Sequence, residues 1–164
     1  MKRLLLLRHA KSSWDDANLS DFERPLNSRG LVTAPFMGEL IASREIEIDM
    51  IVSSPATRAA ETAMLVKENG GLNAELRFDE RIYEASPQSL LLVTSEFDNS
   101  FKNIMLVGHN PGIEGFIGFL TGTIQPMPTA ALAIIELDIK KWKDLASGSG
   151  IVETVLRPKD LIQY

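Results

Sequence analysis

Leu4-Leu5-Leu6-Leu7-Arg8-His9 decides the fold: an apolar, strand-like run that stops on an arginine and a histidine. The pattern returns at Ile104-Met105-Leu106-Val107-Gly108-His109, and these are the only two histidines of the chain. A third run, Met50-Ile51-Val52, precedes the helix that carries Arg58. Apolar runs of this kind alternate with longer helical patterns, which indicates an α/β fold on a mostly parallel sheet. In such a sheet, ligands bind beyond the carboxyl ends of the strands. If the three strands are neighbours, two imidazoles and two guanidiniums converge on one crevice, where they can hold and attack a phosphoryl group.

The spacing predicts strands over residues 3–7, 49–53, 75–78, 103–107, 131–138 and 151–156. It predicts a helix over 28–44, with Val32, Phe36, Leu40 and Ile41 on one stripe. A second runs to about Asn69, with Ser54 as its cap and Pro55 at its first position. A third covers 87–97 behind Ser86, and a short one follows Pro111-Gly112. At least one of the two late strands is expected to be an antiparallel edge. The turn between them is Ser147-Gly148-Ser149-Gly150, after a helical piece around Trp142. The polar stretch 10–26 is too long for a plain turn and reads as functional. The tail from Lys159 has no evident role.

At 164 residues the chain fits one domain, 1–164. Hydrophobic residues make up 45% and charged residues 24%, as in an ordinary globular protein. The absence of cysteine removes disulfides, thiolate metal sites and cysteine nucleophiles. A net charge of -5 argues against nucleic acid as a partner, so an anionic substrate needs a local basic cluster. The opening Met1-Lys2-Arg3 and four leucines resemble a signal peptide, but the apolar run ends at Arg8-His9, short of a secretory core. No stretch approaches a membrane span. The expectation is a cytoplasmic protein without a membrane partner.

Arg58 stands near a helix start, where its charge adds to the positive end of the dipole. That costs stability unless an anion sits there. Taken singly, Arg8-His9, Arg58 and Gly108-His109 are each compatible with a solvated charge or a plain loop. Their equivalent positions in one sheet are what point to a site.

Leu7-Arg8-His9-Ala10 resembles the first signature of the histidine phosphatase superfamily, which includes phosphoglycerate mutases. Residues Ser53 to Thr62, with Pro55, Arg58 and Glu61, are similar to its second, and Val107-Gly108-His109-Asn110-Pro111 to its third. Arg24-Pro25-Leu26-Asn27-Ser28-Arg29-Gly30 resembles a segment of the small, SixA-type phosphohistidine phosphatases. The resemblance implies a three-layer, phosphoglycerate mutase-like fold with helices on both faces. The short link between Asn69 and Asn103 implies no large cap insertion and an open cleft. Ala10 departs from the signature's usual glycine, and its methyl group is expected near the phosphate.

The resemblance implies His9 as nucleophile and Arg8, Arg58 and His109 as groups that hold the phosphoryl oxygens, with His109 working best protonated. Ser12 and Arg24 are carried over as substrate contacts, although Asp21 and Arg24 equally fit a loop ion pair. Of the two carboxylates in the segment where the general acid is expected, Glu80 and Glu84, Glu84 is preferred because it directly precedes the helix capped at Ser86-Pro87. Trp14 and Phe22 read as loop anchors. No cofactor is implied, and no metal-ligand spacing is present. The implied activity is a metal-independent phosphatase acting on phosphohistidine in a protein. The rivals are a phosphatase of a small phosphorylated metabolite, with Glu84 essential, and a non-catalytic phosphoprotein-binding module. The oligomeric state is not legible.

Overall fold

Successive residues of a strand face opposite ways, which explains four leucines in a row. In the computed structural model, which describes residues 1–162, β1 (Lys2–Arg8) sends Leu4 and Leu6 to one layer and Leu5 and Leu7 to the other. All four are fully buried. The first layer holds α3 (Pro87–Ser95) and α4 (Gly112–Thr121), through Leu90, Val93, Ile113, Phe116 and Ile117. The second holds α1 (Ser28–Ser43) and α2 (Thr57–Asn69), through Ala34, Met37, Ile41, Ala63 and Val66. Each buried leucine stabilises the fold by about 1.5–3 kcal/mol relative to exposure.

Among the described residues the sheet has six strands. Their order is β3 (Glu75–Phe78), β2 (Met50–Ser53), β4 (Asn103–Gly108), β1, β5 (Leu132–Leu137) and β6 (Gly150–Leu156). The first four are mutually parallel. The architecture is therefore the expected three-layer α/β fold. Between α2 and β4 lie only β3, a 3-10 turn at Glu80–Ile82 and α3, with no large insertion. As expected, the late strands supply an antiparallel edge: β6 closes the sheet by pairing antiparallel with β5, which itself pairs antiparallel with β1.

Two helical details depart from the sequence reading. Val32 is 52% exposed, and the buried face of α1 centres on Ala34, Met37, Gly38 and Ile41. Small size matters more than apolarity here. A Cβ on Gly38 would lie 2.6 Å from the carbonyl oxygen of Val66, so α1 and α2 pack closely along this seam. The helix expected from Pro55 begins at Thr57, and Ser54 does not cap it. The expected caps hold elsewhere. Asn27 accepts the N–H of Gly30 at the start of α1, and Ser86 accepts that of Ser89 in α3. Pro158–Leu161 forms one helical turn, α5. No helix among the described residues is long and apolar enough to cross a membrane.

Candidate active site

The end of β4 gathers the three signatures. The Val107 carbonyl accepts the N–H of Ser54, and the Gly108 carbonyl accepts that of His9, both at 3.0 Å. Strands β1 and β4 stay in register up to Arg8 and Gly108. His9 and His109 therefore leave neighbouring strand ends side by side, with ring centroids 5.2 Å apart. From the β5 side, the N–H of Ala130 is shared between the carbonyls of Arg8 and His9, at 3.1 and 3.0 Å. Ala130 adopts a left-handed φ of 62° to do so. A cleft of about 250 Å³ opens here, lined by Arg8, His9, Ser12, Arg24, Arg58 and His109. Lys11, Trp14, Asn110 and Thr129 complete its walls.

His9 is buried, and its Nδ1 lies 2.7 Å from the Ala10 carbonyl oxygen. That carbonyl is an acceptor, so Nδ1 carries the proton and Nε2 keeps its lone pair. Burial pushes the imidazole down to about 3. The bond to Ala10 opposes this, while His109, Arg58 and Arg8 add to it. The ring is thus neutral at pH 7. The methyl of Ala10 does not enter the cleft as expected. It is fully buried in the core layer beneath α1 and α2, and the Ala10 N–H donates to Thr62 Oγ1 at 3.0 Å. Ala10 is not among the residues with positive φ, so no glycine is required.

His109 is pushed down to about 4, first by burial and then by Arg58, with Asp21 opposing. It is therefore neutral in the free protein at pH 7, contrary to the expected imidazolium. Its Nε2 lies 2.8 Å from Ser54 Oγ. Its Nδ1 is buried without a protein partner among the described residues, as is Arg8 Nε. Arg8 is otherwise held by a 3.0 Å bond to the Met127 carbonyl.

Asp21 organises the other guanidiniums. Its carboxylate accepts from Arg24 at 2.9 Å, Arg58 at 3.0 Å and the Tyr83 hydroxyl at 2.6 Å. Arg58 also donates to the Asp21 carbonyl at 2.6 Å. The Tyr83 hydroxyl, then the two arginines, pull the Asp21 carboxyl down to about 2. Arg24 is buried and also bonds Ser12 Oγ and the Ser13 carbonyl, so it forms the loop ion pair and at the same time lines the cleft. Trp14 is not the expected anchor. It is 74% exposed and lies over the Arg24 guanidinium, 3.4 Å from ring centroid to Cζ, beside the cleft. Phe22, 39% exposed, meets Tyr83 edge-on at 5.0 Å.

The two candidate acids stand apart from the cleft. Glu84, with a left-handed φ of 54°, lines an adjoining apolar groove of about 620 Å³ that shares His109 and Asn110 with the cleft. Glu80 is exposed on the 3-10 turn and lines neither cavity. No carboxylate lines the cleft itself among the described residues. The helix start expected to meet the anion at Pro55 lies instead at Thr57, so Arg58 stands at the second helical position.

Three structural contributors escaped the sequence reading. Thr62 joins the loop of His9 to Arg58, accepting from Ala10 N–H and donating to the Arg58 carbonyl at 2.7 Å. Its position four residues after Arg58 was the available signal. Tyr83 touches both Asp21 and the His109 ring, 5.5 Å between centroids, and nothing in its local sequence marks it. Ser54 was read as a cap and instead meets His109.

Residues 4–91 match the family model of the histidine phosphatase superfamily (branch 1). Over 158 residues the chain is 31% identical to an uncharacterized chloroplastic protein of Arabidopsis thaliana, covering 91% of this chain and 72% of that one. A crystal structure from Agrobacterium tumefaciens, provisionally named phosphohistidine phosphatase SixA, aligns with a TM-score of 0.81 and 27% identity, covering 96% of this chain and 98% of that one. The protein histidine phosphatase SixA complexed with tungstate shares the fold, with a TM-score of 0.80, 22% identity, and coverage of 98% and 99%. The match over more than half its length, with all three signatures at one strand end, makes this chain a member of the histidine phosphatase superfamily, branch 1.

Proposed function

We propose that the chain is a phosphatase in which His9 Nε2 accepts the phosphoryl group, and that the donor is phosphohistidine borne by a protein. Superfamily membership supports the phosphatase activity. The observation that carries the mechanism is the neutral His9 ring, its Nδ1 proton committed to Ala10 and its Nε2 lone pair free in a cleft walled by guanidiniums. Nε2 attacks phosphorus as the substrate's P–N bond breaks. The departing imidazole already carries a proton on its other nitrogen and leaves neutral. Water then attacks the phosphohistidine, returning the bonding pair to Nε2, and the product leaves as H2PO4⁻ with both protons of water.

Arg8 and Arg58 meet the charge on the equatorial oxygens, the larger part of catalysis in phosphoryl transfer. His109 contributes a donor, and Ser12 and Arg24 support the wall. The absence of a carboxylate from the cleft lining among the described residues favours phosphohistidine over an ester, since an alkoxide would need a proton on departure. The solved relatives named for phosphohistidine point the same way. A small phosphorylated metabolite is the second reading. It is favoured by Glu84 on the adjoining groove, where a leaving group lying across His109 would meet it. This reading takes residues 1–164 as one catalytic domain, working in the cytoplasm without a metal.

The test is to trap a labelled phosphoenzyme that is acid-labile, alkali-stable and absent in His9→Ala. Turnover of a phosphohistidine protein is then compared with a panel of sugar phosphates, each with and without EDTA. Sugar phosphates preferred over the protein, with Glu84→Gln inactive, would replace the first reading by the second. Loss of turnover in EDTA would refute metal independence.

A further inference from the structure

We propose that Ser54 is a positioning residue: its hydroxyl donates to His109 Nε2 and thereby fixes the neutral imidazole with its proton on Nδ1, the nitrogen that meets the phosphoryl oxygen. The inference rests on the reading of the cleft as a phosphate site.

Ser54 is fully buried just beyond the end of β2. Its Oγ already accepts the Ala56 N–H at 3.2 Å. The other polar atom within bonding distance is His109 Nε2, at 2.8 Å. A hydroxyl has one proton to give, and the Ala56 N–H cannot receive it. The Ser54 proton therefore points at the Nε2 lone pair. A neutral ring with Nε2 accepting carries its hydrogen on Nδ1. That atom is buried and has no protein partner among the described residues. His109 lines the cleft beside His9. Its Nδ1, shielded from solvent in the free protein, is the ring nitrogen left without a partner, and on this proposal its acceptor is the bound phosphoryl oxygen.

The opposite tautomer fails on two counts. It would strand the Ser54 proton in a fully buried place without an acceptor whether or not the cleft is filled, whereas the buried Nδ1–H of the favoured tautomer gains an acceptor when phosphate binds. It would also turn an imidazole lone pair towards an anion. The imidazolium is disfavoured by burial and by Arg58 and Arg8. A donor to phosphate at this position has to come from a neutral ring of fixed tautomer, and a buried hydroxyl supplies that setting.

The chain's two histidines make the test direct. Nitrogen-15 NMR of histidine-labelled protein at pH 7, with His9→Ala used for assignment, should show His109 protonated at Nδ1 and bare at Nε2. Inorganic phosphate should then shift the Nδ1 resonance more than the Nε2 resonance. In Ser54→Ala the two tautomers should mix, and kcat should fall about two- to tenfold, the worth of one ordinary hydrogen bond. Ser54→Thr, which keeps the hydroxyl, should restore the single tautomer. A wild-type ring protonated at Nε2 would overturn the proposal, as would an unchanged tautomer in Ser54→Ala. The wild-type spectrum decides even if the alanine variant does not fold. It reads the tautomer without turnover, so a wrong substrate assignment would show separately, as inactivity with the Nδ1–H form intact.

Discussion

Mild acid should weaken this fold while leaving His9 and His109 neutral in it. His9 and His109 are held at about 3 and about 4 in the folded protein. An unfolded imidazole titrates near ~6.5. Between these values the unfolded chain binds protons that the folded chain refuses, so the stability is fully present above about pH 6.5 and is lost as pH falls towards the folded values. Between pH 6 and pH 5 each unfolded imidazole holds on average about 0.9 proton, at about 1.36 kcal/mol per proton and pH unit. The two histidines together account for about 2.4 kcal/mol over that single unit. For a chain of this size that lowers Tm by roughly 5–10 °C. Thermal unfolding at pH 7, 6 and 5 measures it, and histidine proton NMR over the same range checks that neither ring titrates while folded. Replacing both histidines by asparagine should flatten the profile. A Tm that moves less than about 2 °C between pH 6 and 5, or a folded ring titrating near ~6.5, would refute the burial argument.

Arg58→Lys keeps a charge but loses the planar fork that reaches both Asp21 and a phosphate; kcat should fall about 10²–10³-fold in steady-state assays. Thr62→Val leaves the buried Ala10 N–H without its acceptor; urea unfolding should show a loss of about 1–3 kcal/mol, and kcat should fall because the same loop carries His9. Val32→Lys should change stability by no more than about 0.5 kcal/mol, because Val32 is 52% exposed and the face of α1 that matters is Ala34–Met37–Ile41.

The fold was legible because its strands are short, apolar and of one kind. Leu4 to Leu7 and Ile104 to Val107 can be buried only between two layers, and that restricts the architecture to a covered sheet. The histidines and arginines were legible for the same reason, since each closes or follows such a run. What the sequence hid depends on packing between distant segments. Val32 is as apolar as Met37, and only the close seam at Gly38 decides which of them faces α2. Ser54 has the residue type of a cap, and only the position of β4 hands its hydroxyl to His109. Asp21 reaches Arg58 across 37 residues and Tyr83 across 62, distances over which no local pattern speaks. Glu84 is marked in the sequence by its place before a capped helix, and the structure sets it on the groove that shares His109 with the cleft.

One set of charges serves two purposes at this site. Burial first, and Arg58 and Arg8 after it, lower the proton affinity of both imidazoles, so no separate base is needed to keep His9 Nε2 free. The same two guanidiniums are what a phosphoryl dianion meets on arrival. Its charge opposes theirs, so the field that disfavoured a proton on the rings weakens once the substrate is bound. On the proposed mechanism, His109 then donates more strongly as the negative charge on the oxygens grows, and His9 can carry the positive charge of an Nδ1-protonated phosphohistidine. Asp21 keeps Arg58 and Arg24 placed without cancelling this effect, because its carboxylate is 48% exposed and its charge is shared with water and with Tyr83. A carboxylate buried in the cleft would raise both imidazoles towards protonation and repel the substrate. In that mechanism, the exclusion of acidic side chains from the cleft lining among the described residues matters to His9 as much as the Ala10 carbonyl that orients it.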